Sequence, residues 1–321
     1  MLRFILRRLL QIIPLLLGIT FISFLVMKMA PGDYLSQMRA NPQISPATID
    51  QLRHDYGLDK PAMVQYFYWL ANALQGKFGY SFSYKQPVFH LIGFYVGNTL
   101  LLALTSLFFS WLIAIPLGIY AATHKNGLID RLVSVIAFSG ISLPGFFVAL
   151  LAALFAQKTG LLPIGGMESI NYDSLSPLQR VADVGRHLIL PTFVLGIQEL
   201  ATVMRQMRGN LLDVLHENYM LAARARGLKE RVVIFRHGVR NAINPLITLF
   251  GYDLSGLLAG AVTVEIVLSW PGLGRLIYGA VLSQDLYLAM GSFVMGAVLL
   301  IVGNLIADVL LAFTDPRIRL S

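Results

Sequence analysis

Six stretches of about 20 apolar residues set the terms for this chain, because that length is what the hydrocarbon layer of a bilayer demands of a helix. They run at about Leu9–Met29, Thr99–Ala122, Leu132–Ala156, Leu188–Met207, Leu246–Leu268 and Leu286–Phe313. A soluble domain of 321 residues would need a large core but no such runs. It would also carry roughly a quarter charged residues, where this chain has 13%. The pattern predicts an all-α integral membrane protein with six transmembrane helices.

The first run follows Arg3, Arg7 and Arg8 and is longer than the apolar core of a signal peptide, with no small-residue cleavage site after it. It reads as a retained first span. An even number of spans places both termini on one side, and the cations choose that side. Arg3, Arg7, Arg8, Lys125, Arg131, the dense block from Arg205 to Arg240, and Arg317 and Arg319 then share it. The opposite side holds Arg39, Arg53, Lys60, Lys77, Lys85, Lys158, Arg180, Arg186 and Arg275, spread over longer segments. The positive-inside bias makes the denser side cytoplasmic.

This divides the chain into residues 1–29 (tail and first span), an extracytoplasmic segment 30–98, and a five-span core 99–321 with a cytoplasmic loop at about 209–245. Segment 30–98 contains PGDY, YGLDKP and the amphipathic PAMVQYFYWLANAL, and is too polar as a whole to lie in lipid. The second outside segment, 157–187, reads as a loop punctuated by Pro163, Gly165, Gly166 and Pro177. The third is a short loop that begins SWPGLG at Ser269.

Several chemistries are excluded. Without Cys there is no disulfide, thiolate metal site or catalytic thiol. No G-x-x-x-x-G-K-[ST] phosphate loop occurs, so the chain is expected to bind no nucleotide itself. His216–Glu217 opens like a zinc-protease helix, but Met220 stands where the second ligand belongs. No G-x-S-x-G elbow is present. No catalytic residue, metal ligand or bound cofactor is expected. The net charge of +8 sits beside the spans rather than along one patch, which argues against nucleic acid.

Acids inside spans cost a few kcal/mol each unless they face protein or water. Glu199, Asp253 and Asp308 are such acids, with Asn304 one turn before the last. They either line a cavity or pair with loop cations near the span ends. The second is the ordinary expectation for Glu199 and Asp308, and both stay open for Asp253. Small residues such as those of LLAGAV (Leu257–Val262), Gly291, Gly296 and Gly303 suit close helix packing.

The loop 209–245 is the most distinctive segment. At helical spacing Tyr219, Ala222, Ala223, Arg226 and Gly227 share one side, with Leu221, Arg224 and Ala225 on the other. Gly227 is placed to end the helix in a left-handed cap. A second helical segment is expected from about Lys229 to Asn241, and Pro245 starts the next span. Such a pair is either a solvated basic loop at the headgroups or a small-residue surface pressed against a partner.

This stretch resembles the E-A-A-x-x-x-G loop of ABC importer permeases. Leu221 stands in place of the Glu, followed by Ala222, Ala223 and Gly227 at the family spacing, while Pro245 comes later than the general pattern expects. ARARGL at Ala223–Leu228 and RHGVRNAINP at Arg236–Pro245 are similar to the dipeptide/oligopeptide branch, as are the start RRLLQIIPLLLGITFISFLVMKMAPGD, LLAGAVTVEIVLSWPGLGRL and DPRIR. The resemblance implies the type I importer fold in a bacterial inner membrane. It implies a second homologous permease, two ATPase subunits carrying ATP and Mg, and an extracytoplasmic substrate-binding protein. Tyr219, Ala222, Ala223, Arg224, Arg226 and Gly227 would form the coupling helix seated on an ATPase. Asp253, Glu265 and Asn304 would be pathway or gating residues. Peptides are the expected substrate, and close relatives take nickel, glutathione or other small solutes. A stand-alone secondary transporter or an export permease are the rival readings. The former would need no ATPase and should show paired broken helices or mid-membrane acids, and neither is evident in the sequence.

Overall fold

The computed structural model describes residues 2–30, 32–39 and 45–314. Arg317, Arg319 and the DPRIR tail lie outside the described residues, as does Pro31. In chain order the helices are α1 (Leu2–Met29), α2 (Tyr34–Met38), α3 (Pro46–Asp55), α4 (Ala62–Ala73), α5 (Val88–Thr123), α6 (Leu128–Ser142), α7 (Gly145–Thr159), α8 (Pro177–Leu215), α9 (Asn218–Ala225), α10 (Glu230–Val232), α11 (Arg240–Ala242), α12 (Asn244–Val267), α13 (Leu273–Leu282) and α14 (Leu286–Thr314). A π-helical stretch, Val233–Val239, joins α10 to α11. Strands β1 (Tyr80–Ser81) and β2 (Gln86–Pro87) form a small antiparallel hairpin.

Each of the six apolar segments lies in helix. The third is interrupted: α6 ends at Ser142 and α7 starts at Gly145, two helices of 15 residues each where one continuous span was expected. Pro144, which has no amide hydrogen to continue the ladder, accounts for the break. The Leu143 carbonyl left over accepts a hydrogen bond from Gln198 Nε2 at 2.8 Å. The third outside loop is also not a loop throughout, since Leu273–Leu282 forms α13. Its amphipathic sequence places Leu273, Leu276 and Ala280 on one buried face.

The chain divides into two compact units. The first comprises residues 1–99 and 271–301. Its core is Met27 of α1, Val88, Leu91 and Ile92 of α5, Leu273 and Leu276 of α13, and Leu288 and Ala289 of α14. Gly291 lets α14 approach α5, since a Cβ there would lie 2.7 Å from Val88 Cγ1. A buried acid ties the hairpin to this core. Asp285, fully buried, accepts from Ser81 Oγ at 2.7 Å, from the Ser83 amide at 3.0 Å and from the Leu288 amide at 3.3 Å in the first turn of α14. Three donors aimed at one carboxylate compensate its desolvation. Asn98 Nδ2 donates to the Pro271 carbonyl at 2.9 Å and Thr99 Oγ1 accepts from the Leu273 amide at 2.7 Å, fixing the start of α13.

The second unit comprises residues 100–270 and 302–321. Two glycines bring α5 and α8 together. A Cβ at Gly118 would lie 2.8 Å from the Met204 carbonyl oxygen, and one at Gly196 would lie 2.8 Å from Ser110 Oγ. Ser110 Oγ uses that proximity to donate to the Gly196 carbonyl at 2.8 Å. The core below it is Ala114 and Ala121 of α5, Met204, Met207 and Leu211 of α8, and Ala242 and Leu246. Gly165 and Gly166 bring the segment after α7 onto the end of α12, where the Gly166 amide donates to the Leu268 carbonyl at 2.9 Å.

Asp285→Ala removes an acceptor from three donors and is expected to destabilise the purified protein by about 2–3 kcal/mol, the range for stranding buried partners of a charged group. Thermal unfolding in detergent or nanodiscs reads the loss.

Candidate functional site

Helix α8 is 39 residues long, about 58 Å at the helical rise, and so exceeds what a bilayer core requires. Its final turns carry the basic loop as a direct continuation, because only His216 and Glu217 separate α8 from α9. As the spacing suggested, α9 ends at a glycine in the left-handed region: Gly227 has φ of +75° and its amide donates to the Arg224 carbonyl at 2.9 Å.

The helix is held by its inner face. Met220, with no exposed surface, and Ala223 pack with Val233 against Val214 and Leu215. Gly238, in the π-helical stretch, passes close over this contact, since a Cβ there would meet Leu211 Cδ1 at 3.2 Å and Met220 Cε at 3.3 Å. Arg224 closes the hairpin. Its guanidinium spans both oxygens of Glu230, the shortest contact being Nη2 to Oε1 at 2.9 Å. This pairing raises the Arg224 pKa above its ordinary value. Asn241 Nδ2 donates to the Tyr219 hydroxyl at 3.2 Å, and Asn210 Nδ2 donates to the Ala242 carbonyl at 3.1 Å. The result is a hairpin bonded at several points to the end of α8.

An ion pair fixes that end of α8 to α6. Arg208 meets Asp130 through two parallel bonds, Nε to Oδ1 at 2.7 Å and Nη2 to Oδ2 at 2.9 Å. The Asp130 side chain is 5% exposed and also accepts from the Asn126 amide at 2.9 Å. The Arg208 hydrogen bonds, with the Asn126 amide, hold its carboxyl below the usual carboxylate range. Because the folded-state pKa is depressed, the stabilisation from this group is present above the ordinary carboxylate pKa. It is lost only as the pH falls through the lower folded value.

The expected site residues therefore separate. Tyr219, Ala222, Arg226 and Gly227 are exposed on α9 and at its end. Ala223, expected on an outward small-residue face, is turned inward against Met220 and Val233, because α9 must bury one stripe to stay attached to α8. Arg224 closes the hairpin. The exposed surface also carries Lys229, Arg231, Arg236 and Arg240.

Among the intramembrane candidates, Asp253 accepts from Trp111 Nε1 at 3.1 Å. Glu199 differs from expectation. Among the described residues no cation pairs with it; its carboxyl lies close enough to that of Asp253, on α12, for the two to interact. One of its oxygens, Oε1, is buried without a hydrogen-bond partner. Glu265 is fully buried and partnered, and so is not presented to open space. Asn304 is exposed on α14.

The chain is thus a multi-pass helical membrane protein whose longest helix ends in a basic hairpin. The family model described as binding-protein-dependent transport system inner membrane component matches residues 114–320, and the N-terminal model of the same systems matches residues 1–105. The chain belongs to this family of inner-membrane transport components. It is 43% identical to the oligopeptide transport system permease protein AppB of Bacillus subtilis, over 98% of this chain and 99% of that protein. It is 35% identical to the di/tripeptide transport system permease protein DppB of Pseudomonas aeruginosa and 37% identical to the glutathione transport system permease protein GsiC of Escherichia coli, each over 99% of both chains.

Arg208→Met strands Asp130 in a site it cannot leave, and is expected to destabilise the protein by about 3 kcal/mol. The double variant Asp130→Leu/Arg208→Met should recover a large part of that. A double-mutant cycle on thermal unfolding measures the coupling.

Proposed function

We propose that this chain is one of the membrane subunits of an ATP-driven, binding-protein-dependent importer, forming half of the translocation pathway for di- or oligopeptides. The observation that carries the reading is the attachment of α9. Met220 and Ala223 on the inside, and Arg224 with Glu230 at the edge, fasten a short helix to the end of α8 while leaving Ala222 and the basic residues outward. A helix held in this way cannot move without moving α8. A small outward residue lets its backbone approach a partner surface closely.

In this reading both termini are cytoplasmic, and α9 is the coupling helix seated on one of two ATPase subunits. ATP and Mg bind on those subunits. ATP favours the closed arrangement of the ATPases, and the differential binding shifts the permeases between inward- and outward-open states. A second, homologous permease completes the pathway, and an extracytoplasmic binding protein delivers the substrate. Peptides are favoured because the relatives compared above include an oligopeptide and a di/tripeptide permease. Asp253 and Glu199, from α12 and α8, are the polar groups of this unit that we assign to the pathway.

Ala222→Trp should leave the protein inserted and folded while lifting α9 from its seat. Transport by the assembled complex is expected to fall by at least about tenfold, the equivalent of about 1.4 kcal/mol of docking energy. Unchanged transport would remove the docking role. Purification of the tagged chain should bring down ATPases and a second permease, and mass spectrometry of the ligand on the cognate binding protein identifies the substrate.

A further inference from the structure

Helix α4 has two apolar faces. It carries no acidic or basic residue. Tyr66 and Trp69 are buried with Phe24 of α1 and Met290 of α14, and Phe21, Leu70 and Ala73 pack against them. Met63, Val64, Phe67, Tyr68 and, one residue beyond the helix, Leu74 point elsewhere and are between 48% and 83% exposed. At about 100° per residue the exposed set fills an arc of about 140° that begins beside Leu70 and adjoins the buried one. Gln65 and Asn72 fall between the two sets on the other side, and Gln75, beyond the helix, falls within the exposed arc. Their amides turn back to the chain: Gln65 Nε2 donates to the Lys60 carbonyl at 2.6 Å, Asn72 Nδ2 to the Tyr68 carbonyl at 3.0 Å and Gln75 Nε2 to the Ala71 carbonyl at 3.2 Å. A helix apolar on both faces belongs in a core or in a membrane.

Its height along α1 decides between them. The nearest charges on α1 are Arg8 and Lys28, and the uncharged run they bracket is roughly 30 Å long, the full hydrocarbon thickness. The Tyr66 hydroxyl is hydrogen-bonded to Thr20 Oγ1 at 2.9 Å and reaches the Leu17 carbonyl at 3.4 Å. Phe21 and Phe24 meet the Tyr66 ring at centroid distances of 5.4 and 5.6 Å. Leu17 and Thr20 lie at the middle of that run, well below Lys28. The exposed face of α4 is thus level with exposed Ile22, Leu25 and Val26 of α1, which in a span can face only lipid or another membrane subunit.

We propose that α4 is a membrane-embedded, non-spanning helix that enters the leaflet on the Lys28 side of α1 and returns to the same side, its outer face in contact with lipid acyl chains. Lys60 and Lys77 flank the two ends; the Lys60 ammonium lies 5.4 Å from the ring centroid of Tyr68, which sets that part of the outer face at headgroup level, where amphipathic side chains gather. The lipid occupant follows from the depth, from the absence of charge and from continuity with the apolar side of α1. On this proposal α4 departs from the expectation that segment 30–98 as a whole is too polar to lie in lipid.

The chain contains no Cys, so Phe67→Cys and Leu74→Cys each place a single spin label on this chain, and a labelled complex with the unsubstituted chain gives the background from the other subunits. The complete transporter, reconstituted in phosphatidylethanolamine/phosphatidylglycerol vesicles, is measured for nitroxide collision with oxygen and with a water-soluble nickel chelate. Val26→Cys on α1 serves as the lipid reference and Asp55→Cys on α3 as the aqueous one. At both α4 positions the expected result is loss of nickel collisions to the Val26→Cys level with oxygen collisions retained. Nickel access equal to that at Asp55→Cys would place the face in water and overturn the proposal. Loss of both collisions would show a second copy or a partner subunit covering it, and overturns it equally.

Discussion

Hydrocarbon offers no hydrogen-bond partners, so every backbone amide and carbonyl that enters it must be satisfied by the chain itself. The irregular positions of this protein show that rule at work. Where Pro144 interrupts the third apolar segment, Gln198 of the neighbouring helix takes up the Leu143 carbonyl. With this requirement met locally, what remains to be specified is how the helices touch, and glycine does much of it. Gly118, Gly196 and Gly291 stand where a Cβ would meet a neighbouring helix closer than 3 Å.

The same economy of contacts explains the basic hairpin. It lies at the end of α8, and its integrity rests on one buried methionine, an Arg224–Glu230 pair and two asparagine bonds. None of these is large alone, since exposed ion pairs contribute about 0–1 kcal/mol. Together they leave α9 with no independent direction to move. In the proposed docking role, a joint of this kind would pass a displacement of α9 on to α8.

What depended on local spacing was legible in the residues. Span length, the Gly227 cap and the helix from Asn218 follow from periodicity and residue chemistry within a few turns. What depended on the third dimension was not. The spacing places Ala223 beside Ala222 but does not say that one faces in and the other out, because that is settled by where Leu215 and Val233 arrive. Glu199 read as an interfacial acid because Asp253 lies on another helix far along the chain. The amphipathic look of PAMVQYFYWLANAL correctly gave a helix, yet its second apolar face and its place beside α1 needed the exposure of Phe67 and the contact of Tyr66 with Thr20 to be seen.

The pairing of Asp130 with Arg208 spans 78 residues of chain, and that separation bears on biogenesis. Translation delivers the acid, then α6 and α7, before its counter-charge exists. Until Arg208 emerges, Asp130 keeps its charge only by staying in water. The contact of α6 with α8 through this pair can form only once Arg208 has been made. In a chain truncated ahead of Arg208, the Asp130 carboxylate would keep only the Asn126 amide among the donors that hold it in the fold.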